Sequence, residues 1–409
     1  MFRPLKILLV LGTLATLATV QPTASAATTG QTRNLFHELL GKSEAELNAK
    51  LDAAWAHFFQ GDAANQRLYY PVGSDLAYIA DTGNGDVRSE GMSYGMMLAV
   101  QLDKRDEFNR LWTWANRYMR HAAGPRKGYF SWQCKFDGTQ LDPGSASDGE
   151  EWFAMALFFA SHRWGNGAGV LNYEAESQAI LRDMLHKPGS AGVTAIFDRT
   201  AKQVVFAPNP QAGRFTDPSY HLPAFYELWA RWADQSGDRA FWTEAADTSR
   251  AFFRKAAHPQ TGLMPEYAEF SGAPYTGTTY GAGKGDFRYD AWRTLANVAL
   301  DHAWWHADPW QIEQSDRVLR FLGNQPRLAN QYSLDGKPLS TDGSLGLIAM
   351  AAVAGQAADP ELARPFVQRL WDAPLPEGKW RYYNGLLYFI GLLQTGGRFQ
   401  AIAPQSARN

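Results

Sequence analysis

The sequence is poor in cysteine and in net charge. Its one cysteine, Cys134, cannot form an internal disulfide, and we interpret it as a small apolar core residue rather than a nucleophile. The 39 Lys and Arg residues nearly balance the 41 Asp and Glu residues. Without a basic field we expect no nucleic-acid partner, and an uncharged partner is favoured.

The sequence also lacks the motifs of several reaction classes. It contains no HExxH, paired CxxC or clustered His ligands for a metal, no GxSxG for acyl transfer, and no Walker or dinucleotide-binding fingerprint. We therefore predict neither a metal nor a cofactor. Chemistry carried by carboxylates remains available.

Long apolar runs are confined to the N-terminus. Arg3 and Lys6 introduce an apolar run at 7–20 that is too short for a mature anchor, and Ala24-Ser25-Ala26 offers a small-residue cleavage pattern. We predict a signal peptide over 1–26 and export to the periplasm or the medium. No linker interrupts 27–409, for which we expect a single domain, a monomer and no membrane contact.

Apolar residues recur at helical spacing along most of the chain. Six helical hairpins would pack most simply as a double ring, so the sequence predicts an all-α fold, an (α/α)6 barrel. Long aromatic and Gly-rich loops at 61–89, 128–147, 189–219 and 270–289 would then gather at the barrel ends, where ligand-binding residues concentrate. The twelve predicted helices are Ser43–Gln60, Glu90–Leu102, Arg105–Arg120, Asp148–Trp164, Tyr173–His186, Tyr220–Asp234, Arg239–Ala257, Asp290–Ala307, Trp310–Leu322, Leu345–Ala354, Glu361–Trp371 and Tyr382–Leu393.

Glu90 is the first candidate for acid–base chemistry. It follows a polar, Gly-rich loop at 81–86 and precedes apolar Met and Tyr residues. A first-turn carboxylate ordinarily just complements the helix dipole. Apolar surroundings would instead raise its pKa toward that of a general acid.

Two further loop-to-helix segments carry carboxylates. Asp148 lies in Ser147-Asp148-Gly149-Glu150-Glu151, where it could cap a helix and also hold a sugar hydroxyl. Asp290 stands three residues before Arg293, so the two side chains can pair on one helix face. That pair could be purely structural, or Arg293 could keep Asp290 ionised as a general base.

Together these segments resemble glycoside hydrolase family 8, whose members are inverting β-1,4 glycanases with an (α/α)6 barrel. The resemblance rests on Ala146-Ser147-Asp148-Gly149-Glu150, the run from Glu90 to Met97, and Asp217 to Pro223. It implies Glu90 as general acid, Asp290 as general base and Asp148 at the sugar where cleavage occurs. It also implies that Tyr220 positions the water. The residues expected to bind substrate are Trp132, Arg293, Tyr382, Tyr383 and Tyr94.

The residues of these motifs most resemble those of the xylan-acting branch of the family, so the implied partner is β-1,4-xylan or a xylo-oligosaccharide. One subgroup removes a single xylose from the reducing end, using a Leu-His-Pro loop that closes the cleft. The corresponding segment, Pro338–Leu347, contains no His. We therefore expect endo action, with the reducing-end exo-oligoxylanase as the alternative. Another β-1,4-glucanase, a polysaccharide lyase and a non-catalytic glycan-binding protein stay open.

Overall fold

The computed structural model describes residues 30–404 and contains thirteen α-helices in that range. The predicted signal peptide, 1–26, lies outside the described residues. Two of the helices, α2 and α4, continue into a wider π turn, over Ala56–Gln60 and Ala115–Met119. The helices are α1 Leu35–Leu40, α2 Glu44–Trp55, α3 Ser89–Gln101, α4 Arg105–Trp114, α5 Ser147–Trp164, α6 Tyr173–His186, α7 Pro223–Trp232, α8 Ser236–Ala256, α9 Arg293–Trp305, α10 Trp310–Gly323, α11 Leu345–Ala354, α12 Pro360–Asp372 and α13 Arg381–Thr395.

Six of these helices, α3, α5, α7, α9, α11 and α13, form a closed inner ring. Between α5 and α7 the ring is closed by the Tyr226 hydroxyl, which donates to Glu151 Oε1 at 2.6 Å, and by the rings of Trp152 and Phe225. The outer helices α2, α4, α6, α8, α10 and α12 each pack on an inner helix. The predicted (α/α)6 barrel is confirmed.

The burial pattern explains which helices lie inside. In α5, 16 of 18 residues are buried, and α3 and α13 are similarly enclosed on all sides. The outer helices α8, α10 and α12 instead bury one face and expose charged residues on the other. An all-round apolar helix can only be stable when neighbours surround it, so composition sorts the helices into the two rings. One hydrophobic core extends from Leu35 to Phe399.

The long loops add antiparallel sheets that sequence patterns did not predict. The largest has five strands in chain order, and its third strand runs directly into α3, where Glu90 lies. Within the part of the chain that the structure describes, three two-stranded ribbons complete the loops, and one of them precedes the turn that carries Asp290. The five-stranded sheet comprises β1 Tyr69–Val72, β2 Leu76–Asp81, β3 Asp86–Arg88, β4 Gln133–Cys134 and β5 Gln140–Asp142; the ribbons pair β6 Phe197–Asp198 with β7 Gln203–Val204, β8 Phe215–Thr216 with β9 Ala268–Glu269, and β10 Phe287–Arg288 with β11 Gln331–Tyr332.

Most predicted helices agree with the structure to within a few residues, and two of them begin three residues later than predicted. The helix predicted from Tyr220 begins at Pro223, and the one predicted from Asp290 begins at Arg293. In both cases a short 3-10 turn occupies the missing residues. No helix in the described residues is both long and apolar enough to cross a membrane.

Candidate active site

The guanidinium of Arg293, the first residue of α9, connects the three candidate carboxylates. Its Nη1 donates to Glu90 Oε2 at 2.9 Å, to Asp148 Oδ2 at 3.0 Å and to the Tyr94 hydroxyl at 2.8 Å. Its Nη2 lies 3.4 Å from Asp290 Oδ1. The two nitrogens of one buried cation therefore separate Glu90 from Asp290.

Glu90, the second residue of α3, sits in surroundings that favour its neutral form. Only 17% of its side chain is exposed, although the hydrogen bond that Tyr382 donates to its Oε1 at 3.0 Å favours the charged form. Burial raises the pKa of Glu90 to about 7, with a further contribution from the negative charges of Asp148 and Asp290 and an opposing one from Arg293. A carboxyl group with such a pKa can donate a proton near neutral pH.

Asp290 lies in the 3-10 turn Tyr289–Trp292 and is more accessible, with 25% of its side chain exposed. The Tyr383 hydroxyl lies 3.2 Å from its Oδ1 and 3.2 Å from the Tyr289 carbonyl. Tyr289 itself has φ of 37°, a left-handed conformation that is strained for a bulky residue. The backbone that presents Asp290 to the cavity is thus unusual.

Asp148 does not cap its helix as predicted. The residue before α5 is Ala146, and Asp148 is the second residue of the first turn, where it contacts Arg293. Its Oδ1 is buried and has no hydrogen-bond partner among residues 30–404. Burial raises the pKa of Asp148, and Arg293 counteracts that effect. Asp148 still belongs to the cavity lining, so it lies beside the space that a bound sugar would occupy.

A cavity of about 770 Å³ opens above these groups, and Glu90, Asp148 and Asp290 all line it. Aromatic side chains form much of its wall. This combination of flat apolar rings and a few converging polar groups is typical of a sugar-binding cleft. Four of the rings were predicted, namely Trp132, Tyr220, Tyr382 and Tyr383; five were not, namely Phe206, Tyr267, Tyr280, Tyr289 and Trp380.

Two residues predicted to bind substrate take a different position. Tyr94 and Arg293 are buried and do not belong to the cavity lining. Both lie beneath it, where they hydrogen bond each other. They support the carboxylates from the side of the core, where the N-terminal parts of α3 and α9 lie beneath the cavity.

Sequence reasoning missed several polar and aromatic residues around the site. Asp217 and Ser219 precede α7, and Ser219 Oγ accepts a hydrogen bond from Arg293 Nη2 at 2.8 Å. Trp380, 63% exposed, lies over Gly83 at the cavity wall. Trp380 could have been found from the sequence, because it comes directly before the run Arg381-Tyr382-Tyr383, which was already expected to bind sugar. The run from Asp217 to Pro223 included Ser219 but did not indicate its partner Arg293, which is 74 residues away.

A family model for glycosyl hydrolases family 8 matches residues 76–397, which include every site residue named above. The chain belongs to glycoside hydrolase family 8. A relative from Paenibacillus barcinonensis, the reducing-end xylose-releasing exo-oligoxylanase Rex8A, is 47% identical, with 91% of this chain and 97% of the relative covered. The structure of Rex8A complexed with xylose gives a TM-score of 0.87 at 46% identity, covering 94% of this chain and 100% of that chain.

Other family 8 relatives show a comparable level of sequence identity to this chain. The reducing end xylose-releasing exo-oligoxylanase of Halalkalibacterium halodurans is 41% identical over 94% of this chain and 97% of its own length. A xylanase from Teredinibacter turnerae, solved as a catalytic mutant with xylohexaose, is 46% identical with a TM-score of 0.88, covering 92% of this chain and 99% of that chain. The curated relatives favour the reducing-end alternative over the endo action expected from the sequence.

Proposed function

We propose that this family 8 enzyme removes single xylose units from the reducing end of β-1,4-linked xylo-oligosaccharides, with inversion at the anomeric carbon. The observation that carries the hydrolytic chemistry is the placement of Glu90 and Asp290 on different nitrogens of Arg293. Inverting hydrolysis needs an acid and a base that are separated by a water molecule. The exo mode is supported by the relatives described above.

In this mechanism Glu90 donates its proton to the leaving glycosidic oxygen. Asp290 accepts a proton from the water that attacks the anomeric carbon on the opposite face, and Tyr220, at the cavity wall, positions that water. Asp148, which lines the cavity, accepts a hydrogen bond from a hydroxyl of the sugar being cleaved. The carboxyl separation expected for inversion, about 6.5 to 9.5 Å, leaves room for the water.

The segment Pro338–Leu347 supports a barrier beside the base. Leu339 donates its backbone N–H to the Gln331 carbonyl at 2.9 Å, and Gln331 Nε2 donates to the Tyr289 hydroxyl at 3.2 Å. The Leu339 side chain is 44% exposed. Gln331 therefore links this segment to Tyr289, the residue that precedes Asp290. We propose that the exposed apolar side chain of Leu339 restricts how far a chain extends beyond the cleavage point.

The test of the exo mode is xylotetraose carrying ¹⁸O at its reducing-end anomeric hydroxyl. Reducing-end release puts the label into xylose in the first turnovers, and mass spectrometry detects it. Label appearing mainly in xylobiose, together with a rapid loss of xylan viscosity, would establish endo action instead. Release of unlabelled xylose would place the cut at the other end of the chain.

The test of inversion follows the new anomeric centre by proton NMR. In reducing-end release that centre belongs to the shortened oligosaccharide, because the released xylose keeps the anomeric carbon it had in the substrate. We expect the shortened product to appear first as its α-anomer. An initial β-anomer at that position would mean net retention and would exclude the assigned roles of Glu90 and Asp290.

We also propose that the protein is exported, cut after Ala26, and functions as a single-domain monomer. The continuous core from Leu35 to Phe399 supports one domain, and the small-residue pattern before Ala27 supports the cut. N-terminal sequencing of the protein recovered after expression in a bacterial host tests the cleavage. Light scattering on the eluting protein tests the oligomeric state.

A further inference from the structure

Ser219 is fixed in place through all three of its polar groups. Its backbone N–H donates to Asp217 Oδ1 at 2.7 Å, its carbonyl accepts from Asn297 Nδ2 at 2.7 Å, and its Oγ accepts from Arg293 Nη2 at 2.8 Å. The residue is buried. Its hydroxyl therefore stands at a defined point beside the guanidinium and cannot easily follow a movement of Arg293.

The two nitrogens of Arg293 have unequal partners. Nη1 makes hydrogen bonds with two carboxylates and a tyrosine, whereas Nη2 makes its short hydrogen bond with the neutral hydroxyl of Ser219. Asp290 Oδ1 stays at 3.4 Å from Nη2, which is an ion-pair distance and longer than a charged hydrogen bond. Nη2 carries two N–H groups, and its short hydrogen bond with the fixed Ser219 hydroxyl sets where this nitrogen stands relative to Asp290.

We propose that Ser219 is a positioning residue that holds Arg293 away from a short hydrogen bond with Asp290, so that the Asp290 carboxylate stays free to accept a proton from water. A carboxylate that receives a short hydrogen bond from a guanidinium is a weaker base, because its charged form is stabilised. A base weakened in this way removes a proton from water less effectively. This inference rests on the proposed role of Asp290.

Several other groups surround Asp290, so a change in its titration must be attributed to Ser219 by comparison. They come from its own turn and helix, from α3, α5 and α13, from the turn before α7, and from the segment around β9. None of them loses a contact when the Ser219 hydroxyl is removed, apart from Arg293. The titratable groups are Arg293, Glu90, Asp148, Tyr383, Asp217, Tyr220, Glu266 and Tyr267.

The experiment compares pH profiles of kcat/KM on xylotetraose for the wild type and Ser219→Ala. We expect the acidic limb of the variant to move down by about one pH unit and its plateau to fall about tenfold. The basic limb should shift less than the acidic limb, because Nη1 keeps Glu90, Asp148 and Tyr94 as its partners. Ser219→Thr retains the hydroxyl and should restore the wild-type acidic limb.

Ser177→Ala is the matched control, since Ser177 is also fully buried and also uses its hydroxyl in one hydrogen bond, in the outer helix α6. It should keep the wild-type profile. A loss of rate in Ser219→Ala without a shift of the acidic limb would reduce Ser219 to a structural role and overturn the inference. A crystal structure of Ser219→Ala gives a second test, because the Nη2 to Asp290 Oδ1 distance should shorten to about 2.8 Å; an unchanged distance would contradict the proposal.

The two proposals fail in different ways. A wild-type enzyme that does not hydrolyse xylo-oligosaccharides would refute the proposed function. An active wild type whose acidic limb is the same in Ser219→Ala would refute only the role of Ser219.

Discussion

Replacing Glu90 by Gln should stabilise the protein at alkaline pH while abolishing catalysis. Burial raises the pKa of Glu90 from near 4.5 to about 7, so the folded state binds more protons than the unfolded chain between these values. Stability is then lost as the pH rises through that window. The pKa difference of about 2.5 units corresponds to a loss of about 3 kcal/mol in the free energy of unfolding. This loss is complete above pH 7 and absent below pH 4.5. The Gln side chain carries no charge and avoids this cost at every pH.

Glutamine can keep the local contacts. Its carbonyl oxygen can accept from Arg293 Nη1, and its amide can donate to the Tyr382 hydroxyl. The assay is urea unfolding followed by tryptophan fluorescence at pH 4.5 and pH 8. We expect Glu90→Gln to match the wild type at pH 4.5 and to exceed it by up to about 3 kcal/mol at pH 8, with kcat lowered by about 10³ or more.

Glu313→Gln, on the exposed face of α10, is the control for changing Glu to Gln. It should leave the pH dependence of stability as in the wild type. A stability difference for Glu90→Gln that is equal at both pH values, or a less stable variant at pH 8, would refute the reasoning. Near-normal activity would remove Glu90 from the acid role, whatever the unfolding curves show.

Three further substitutions probe the same site. Tyr382→Phe removes the hydrogen-bond donor to Glu90 Oε1, so the charged form of Glu90 is less stabilised. The basic limb of the kcat/KM profile should therefore move to higher pH, and an unmoved limb would contradict this prediction. Arg293→Met leaves the buried carboxylates without their cation. Urea unfolding at pH 8 should show that the free energy of unfolding falls by about 3 to 5 kcal/mol, with a smaller fall at pH 5. Equal losses at both pH values would be inconsistent with this electrostatic origin. Trp380→Ala should raise KM for xylotetraose about fivefold, equivalent to about 1 kcal/mol. The melting temperature should stay unchanged because the ring is exposed. An unchanged KM would exclude a sugar contact.

The barrel could be predicted because apolar spacing marks its helices in the sequence. Both Tyr173–His186 and Leu345–Ala354 were predicted with their observed bounds. The start of α7 was misplaced because the run through Tyr220 is apolar, yet Pro223 favours the first turn of a helix and ends the preceding turn. The strands were missed because most span two to four residues, too short for an alternating pattern.

The carboxylates of the site could be predicted, but the way they are connected could not. Glu90, Asp148 and Asp290 each follow a distinctive loop, and their residue types suit the chemistry. The sequence paired Arg293 only with Asp290, which lies three residues before it. Its contact with Glu90 crosses 203 residues and its contact with Asp148 crosses 145. Such contacts depend on how the inner helices meet, which no local pattern contains.

The closed inner ring has a consequence for folding. Helix α13 packs against both α11 and α3, so the last helix of the chain closes the ring against the first inner one. It also carries Tyr382 and Tyr383, which contact Glu90 and Asp290. Local helices form early, whereas contacts between the two ends of the chain must wait for ring closure. Return of enzymatic activity during refolding therefore reports the docking of α13, and it should lag behind the return of helical circular dichroism.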